Sequence, residues 1–147
     1  MRKPDAPAAR ILLVDDNARG LAARKMILTD HGYGVDTAPS GEEAWELFQK
    51  HHFDVVVTDF KMGGIDGVEL IRRVRGASPA TGVILLSGFI DCLGLNAKTA
   101  GADELINKSN KEIQDLLRAI RRLAVRPRRR KPPASQSGPN ARATQAG

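Results

Sequence analysis

Three short runs in this chain are apolar at every position: Ile11-Leu12-Leu13-Val14, Val55-Val56-Val57 and Val83-Ile84-Leu85-Leu86. A strand with one wet face alternates apolar and polar residues. An unbroken apolar run means that both faces are covered, as in the middle of a parallel sheet. Parallel neighbours need a crossover between them, usually a helix. The stretches between the runs should therefore be helical, and their residues agree.

From Asn17 to His31 the spacing turns helical, with Leu21, Ala22, Met26 and Ile27 able to share one face. Asn17 is the expected N-cap and Gly32 the expected stop. Tyr33 to Thr37 reads as a short strand. Ser40-Gly41-Glu42-Glu43 has the form of a capping box and precedes Ala44, Leu47 and Phe48 on one face. Phe53 to Thr58 is a strand ending at Asp59. A glycine-rich loop, Met62 to Gly67, leads to a helix from Val68 to Arg75 with Asp66 as its cap. Gly82 to Leu86 is a strand ending at Ser87-Gly88, and Ile90 to Ala100 is weakly helical. Asp103 to Asn107 is a strand ending at Lys108. A second capping-box pattern, Ser109-Asn110-Lys111-Glu112, opens a helix through Ile113, Leu116, Leu117, Ile120 and Leu123. Five β-α repeats with buried strands predict an α/β fold: a five-stranded parallel sheet with helices on both faces. Right-handed crossovers leave few topologies, and the flavodoxin-like order 2-1-3-4-5 is expected.

The ends of the chain are of another kind. Residues 1–9 read as a disordered N-terminus and residues 10–125 as the folded domain. Residues 126–147 carry six basic side chains and no acid, which accounts for the whole of the +6 net charge. This Pro-rich, basic stretch lacks a core-forming pattern and reads as a disordered tail. It has no aromatics interleaved for stacking on bases and is too short for a DNA-binding domain, so nucleic acid is at most a weak contact of the tail. The single cysteine, Cys92, suits a reducing compartment. No apolar run approaches the roughly 20 residues of a membrane helix. A soluble, cytoplasmic protein without a membrane partner is expected.

In an open parallel sheet the chemistry lies outside the carboxyl ends of the strands, where strand order reverses. Asp15 and Asp16 follow the first strand, Asp59 ends the third, Ser87 the fourth, and Lys108 the fifth. Three carboxylates, a hydroxyl and an ammonium thus converge from four separate places. Carboxylates so close repel one another unless a cation sits among them. Mg²⁺, a hard ion that prefers oxygen, suits the set. Asp16 and Asp59 are the expected direct ligands, Asp15 acts partly through water, and the backbone carbonyl of Lys61 adds an oxygen. The array suits phosphoryl transfer to a carboxylate: Asp59 as acceptor, with Lys108 and Ser87 stabilising the transferred oxygens. Trp45, Leu47 and Phe48 read as helix packing, and His31, His51 and His52 as loop or helix-end residues.

These residues resemble the receiver domain of two-component response regulators. The matching stretches are residues 11–17, 54–62, 65–70, 84–88 and 101–108, in order and at the family's spacing. The resemblance implies a phosphoaccepting receiver at residues 10–125, of the single-domain, chemotaxis-regulator-like kind. Its donor would be a phosphohistidine on a sensor histidine kinase or histidine phosphotransfer protein. It would signal by a conformational shift to a downstream protein target, without substrate turnover of its own as an enzyme. Three positions depart from the family pattern. Gly63 replaces the proline after Met62, Ser109 replaces the proline after Lys108, and Leu105 stands where the family has its switch aromatic. Leucine has neither ring nor hydroxyl, so phosphorylation is expected to persist with an altered or weaker output.

Four other readings compete. One is a degenerate receiver that serves as a binding module, and another is an adaptor whose basic tail contacts nucleic acid. An aspartyl-phosphate phosphatase of the haloacid dehalogenase pattern would want an acid at position 61, which is lysine. A flavin carrier on the same fold would want hydroxyls, not Asp15 and Asp16, after the first strand.

Overall fold

The computed structural model describes residues 9–88 and 100–125. The elements in chain order are β1 (Arg10–Val14), α1 (Ala18–Asp30), β2 (Gly34–Ala38), α2 (Gly41–Lys50), β3 (Val55–Asp59), α3 (Gly67–Ala77), β4 (Gly82–Ser87), β5 (Glu104–Asn107) and α4 (Glu112–Val125). The five strands form one parallel sheet in the order β2-β1-β3-β4-β5, the expected topology. The helix expected from Ile90, Cys92, and both expected disordered ends lie outside the described residues, apart from Ala9 and Ala100 at their margins.

The unbroken apolar runs are explained by the two layers that cover the sheet. Successive strand residues point to opposite faces. Leu12, Val14, Val56, Val83 and Leu85 face one way and pack with Ala44 and Phe48 of α2 and Leu70, Ile71 and Val74 of α3. Ile11, Leu13, Val55, Val57, Ile84 and Leu86 face the other way and pack with Leu21 and Leu28 of α1 and Leu116, Ile120 and Leu123 of α4. β3, in the middle of the order, is buried at every residue, whereas the edge strand β2 is buried only at Ala38.

Local chemistry sets the helix ends. The side chains of Asn17, Ser40 and Asp66 accept hydrogen bonds from the backbone N–H groups of Gly20, Glu43 and Glu69, respectively. Each satisfies a donor that the first helical turn leaves without a partner. α1 stops because Gly32 takes φ +93°, which lets the N–H groups of Gly32 and Tyr33 reach the carbonyls of Thr29 and Leu28. Trp45, Phe48 and Phe53 form a stacked series, with ring centroids 6.0 and 6.3 Å apart, so the aromatic residues of α2 are packing. His31 and His51 cap helix C-termini, and His52 is exposed beside Asp54.

Two local expectations are corrected. The inner face of α1 is Leu21, Arg24 and Leu28; Ala22 is exposed, and Met26 is 66% exposed. The sequence pattern misses this face because its middle residue is a charged arginine. At α4, Glu112 is itself the first helical residue, so no capping box forms. The Ser109 hydroxyl accepts from the N–H of Lys111, and the Glu112 carboxylate turns to Arg24.

Candidate functional site

Each strand hands over its polar residue at the same end of the sheet. In the β1–β3 register Val14 lies opposite Thr58, so Asp15 and Asp59 emerge side by side one residue further on. In the β3–β4 register Asp59 lies opposite Leu86, which puts Ser87 just beyond it. In the β4–β5 register Ser87 lies opposite Asn107, and the N–H of Lys108 donates to the Ser87 carbonyl at 3.1 Å. Parallel pairing without offset thus brings four strand ends to one place.

Asp15, Asp16 and Asp59 each offer a carboxylate oxygen, and these atoms lie within 4.8 Å of one another. Asp15 and Asp59 are buried and Asp16 is exposed, so the cluster opens to solvent on one side. Asp15 is held on both oxygens. Its Oδ1 accepts from the N–H of Asn17 at 2.9 Å, and its Oδ2 from Nη1 of Arg24 at 2.7 Å. Lys108 Nζ stands 2.5 Å from Asp59 Oδ1 despite the serine that follows it. Asp59, Phe60, Lys61, Ser87, Gly88 and Lys108 line a cavity of about 200 Å³. Every side chain predicted for the site is therefore in the acid cluster or around this cavity. Lys61, predicted to contribute its carbonyl, is exposed on the cavity's rim.

Behind Asp59 the backbone is tightly held. The Thr58 hydroxyl donates to the Asp59 carbonyl at 3.0 Å. A Cβ built on Gly67 would stand 2.4 Å from that same carbonyl oxygen, so only glycine lets α3 begin this close to the end of β3. The Glu42 carboxylate reaches from α2 to accept from the N–H of Ile65, which pins the loop after Asp59.

Burial pushes the Asp59 carboxyl above its ordinary range, and the charges of Asp15 and Asp16 push it further. The hydrogen bond and charge of Lys108 offset part of that rise without reversing it. Burial alone would lower the Arg24 guanidinium, but hydrogen bonds and charge from Glu112 and Asp15 hold it above its ordinary value. The donor set fits a hard divalent cation: three carboxylates at close range, with oxygen ligands throughout. Arg24 and Lys108 reduce the local negative charge without cancelling it.

Two members of this site were not legible in the residue pattern. Arg24 interrupts an apolar helix face, and Glu112 looks like a helix cap. Together they form a partly buried relay behind Asp15, with Arg24 Nε 2.6 Å from Glu112 Oε2. The available signal was a charged residue three after Leu21 and four before Leu28, on the stripe that must face the sheet.

Comparison with known proteins agrees with this fold. The profile of the response regulator receiver domain matches residues 11–121. The virulence sensor protein BvgS of Bordetella pertussis is 38% identical over 107 residues, which cover 67% of this chain and 9% of that protein. The transcriptional regulatory protein TrcR of Mycobacterium tuberculosis is 30% identical over 138 residues, covering 93% of this chain and 53% of that protein. This chain thus spans under a tenth of one relative and about half of the other. The crystal structure of the response regulator protein TrrA of Thermotoga maritima, in complex with Mg²⁺ and beryllofluoride, has a TM-score of 0.70. It is 34% identical, and the match covers 78% of this chain and 98% of that one.

Proposed function

The chain belongs to the response regulator receiver family of two-component systems, and from that premise we propose that Asp59 is the residue that accepts the phosphoryl group. The observation that carries this reading is the pairing of a buried Asp59, among two further carboxylates, with Lys108 at 2.5 Å.

The donor we infer is a phosphohistidine on a sensor histidine kinase or histidine phosphotransfer protein. An Asp59 carboxylate oxygen forms the new O–P bond while the P–N bond of the donor breaks and the imidazole nitrogen takes its electron pair. Asp16 and Asp59, with Asp15 in support and the Lys61 carbonyl beside them, would hold Mg²⁺; when bound, it offsets charge on the transferred oxygens. Lys108 turns from Asp59 to a phosphoryl oxygen, and the Ser87 hydroxyl donates to another. Gly88, at the cavity wall, leaves room for the donor or for a hydrolytic water.

Incubation with Mg²⁺ and acetyl phosphate, read by intact mass, tests the assignment. The wild type should gain one phosphoryl group and Asp59→Asn none; equal labelling of the two proteins would remove Asp59 from this role.

The output we infer is a shift in protein contacts that reaches a downstream target without a switch aromatic. Leu105 is half-buried against the α2–α3 layer and offers no hydroxyl. Spectra with and without beryllofluoride should show small changes at Leu105; large ones would contradict a weakened output.

A further inference from the structure

We propose that Arg24 is a positioning residue that couples cation binding at the acid cluster to the first turn of α4, by sharing one guanidinium between Asp15 and Glu112. The inference rests on the reading of that cluster as a Mg²⁺ site.

Arg24 is only 8% exposed, and its two partners come from different elements, one just past the end of β1 and the other, 88 residues away, on α4. Different nitrogens serve them: Nη1 stands 2.7 Å from Asp15 Oδ2, and Nε stands 2.6 Å from Glu112 Oε2. The side chains of Arg24, Asp15 and Glu112 are 9%, 3% and 13% exposed, so little water screens the triad. A buried charge is costly unless paired, and the delocalised guanidinium can satisfy two carboxylates at once. The surrounding chain is shaped for it. A Cβ on Gly20 would stand 3.2 Å from Arg24 Nη1 and 3.5 Å from Asp15 Oδ2, so glycine there keeps the space that the pair fills.

Asp15 therefore meets an incoming cation already half neutralised, and Glu112 governs how far. Where Glu112 draws on the guanidinium, Asp15 keeps more negative charge for the cation. Where glutamine replaces Glu112, the whole guanidinium charge falls to Asp15. A cation at the cluster in turn weakens the Asp15 contact and leaves Arg24 to Glu112, because coupling between two sites is reciprocal. Occupancy at the strand ends is thereby felt at the start of α4, a helix that places no ligand in the cluster.

Calorimetric titration of Mg²⁺ into wild type, Glu112→Gln, Arg24→Met and the double variant tests this. Glu112→Gln should weaken Mg²⁺ binding about five-fold, the lower end of ordinary site-to-site coupling. Arg24→Met should tighten it, and in that background Glu112→Gln should change nothing. The Arg24 Nε–H resonance should be visible in metal-free wild type, shift on Mg²⁺ addition, and move or vanish in Glu112→Gln. An equal effect of Glu112→Gln in both arginine backgrounds would mean simple long-range charge, and would overturn the relay. So would a wild type that binds Mg²⁺ but is indifferent to Glu112→Gln. A wild type that binds no Mg²⁺ would remove the cation site, and the coupling with it. If Arg24→Met does not fold, Arg24→Gln replaces it: the amide carries no charge to share between the carboxylates, and the Glu112 effect should again disappear.

Discussion

The two faces of the sheet are packed with different materials. The α2–α3 side is closed by apolar and aromatic groups: Phe48 and Phe53 in stacked contact, with Leu70, Ile71 and Val74 beneath α3. The α1–α4 side has an equally apolar floor of Leu13, Val57, Ile84 and Leu116, but a charged triad of Asp15, Arg24 and Glu112 crosses it near the strand ends. Hydrophobic burial is non-directional and scales with area, whereas an ion pair depends on each partner's place and charge. One face therefore holds the fold chiefly by apolar burial. The other holds the fold and also carries the charge of the site into its packing.

Four experiments press on that contrast. Phe53→Ala, on the neutral face, should lose about 4 kcal/mol of stability in denaturant unfolding, from lost transfer energy plus the cavity left behind. Its Mg²⁺ affinity should equal that of wild type; an altered affinity would show that both faces sense the site. Arg24→Met, on the charged face, should lose about 3 kcal/mol without metal, because Asp15 and Glu112 both lose the cation that pairs them. Mg²⁺ should restore part of that loss, as judged by melting with and without the ion; no recovery would detach the triad from the site.

Asp66→Ala removes the cap of α3 and should cost about 1 kcal/mol in thermal unfolding, with little dependence on Mg²⁺. A strong Mg²⁺ dependence would tie α3 to the site as closely as α1. The smallest change, with opposite sign, is expected at Asp59. Burial raises its carboxyl in the folded state, and Lys108 offsets part of the cost. The folded protein then holds a proton that the unfolded chain has released, so stability falls as pH rises from the unfolded carboxylate range through the folded one. Asp59→Asn should flatten that part of the pH–stability curve and slightly raise the metal-free melting temperature at neutral pH. An unchanged slope would mean that the buried carboxylate costs nothing.

Much of this structure is legible in the residues because much of it is local. The strands were readable since parallel strands under two layers lose their polar alternation, and Val55-Val56-Val57 shows that without reference to its neighbours. Asn17, Ser40 and Asp66 were readable as caps because a short polar side chain two or three residues before a free N–H has one obvious use. The α1 face was misread because amphipathic spacing counts apolar residues, and Arg24 sits where an apolar one was expected. Ser109 to Glu112 was misread because the same letters serve a capping box or an ion pair, and a distant arginine decides between them.

The order of residues along the chain determined that five polar groups, Asp15, Asp16, Asp59, Ser87 and Lys108, stand at or just past strand ends, since a strand's last residue is a matter of local pattern. It also determined the parallel, doubly covered sheet. Only the tertiary structure decided which charges face one another: Lys108 against Asp59, and Arg24 between Asp15 and a Glu112 that lies 88 residues away. Coulomb attraction in a poorly screened interior acts through a few ångströms of space, and sequence separation does not measure that distance.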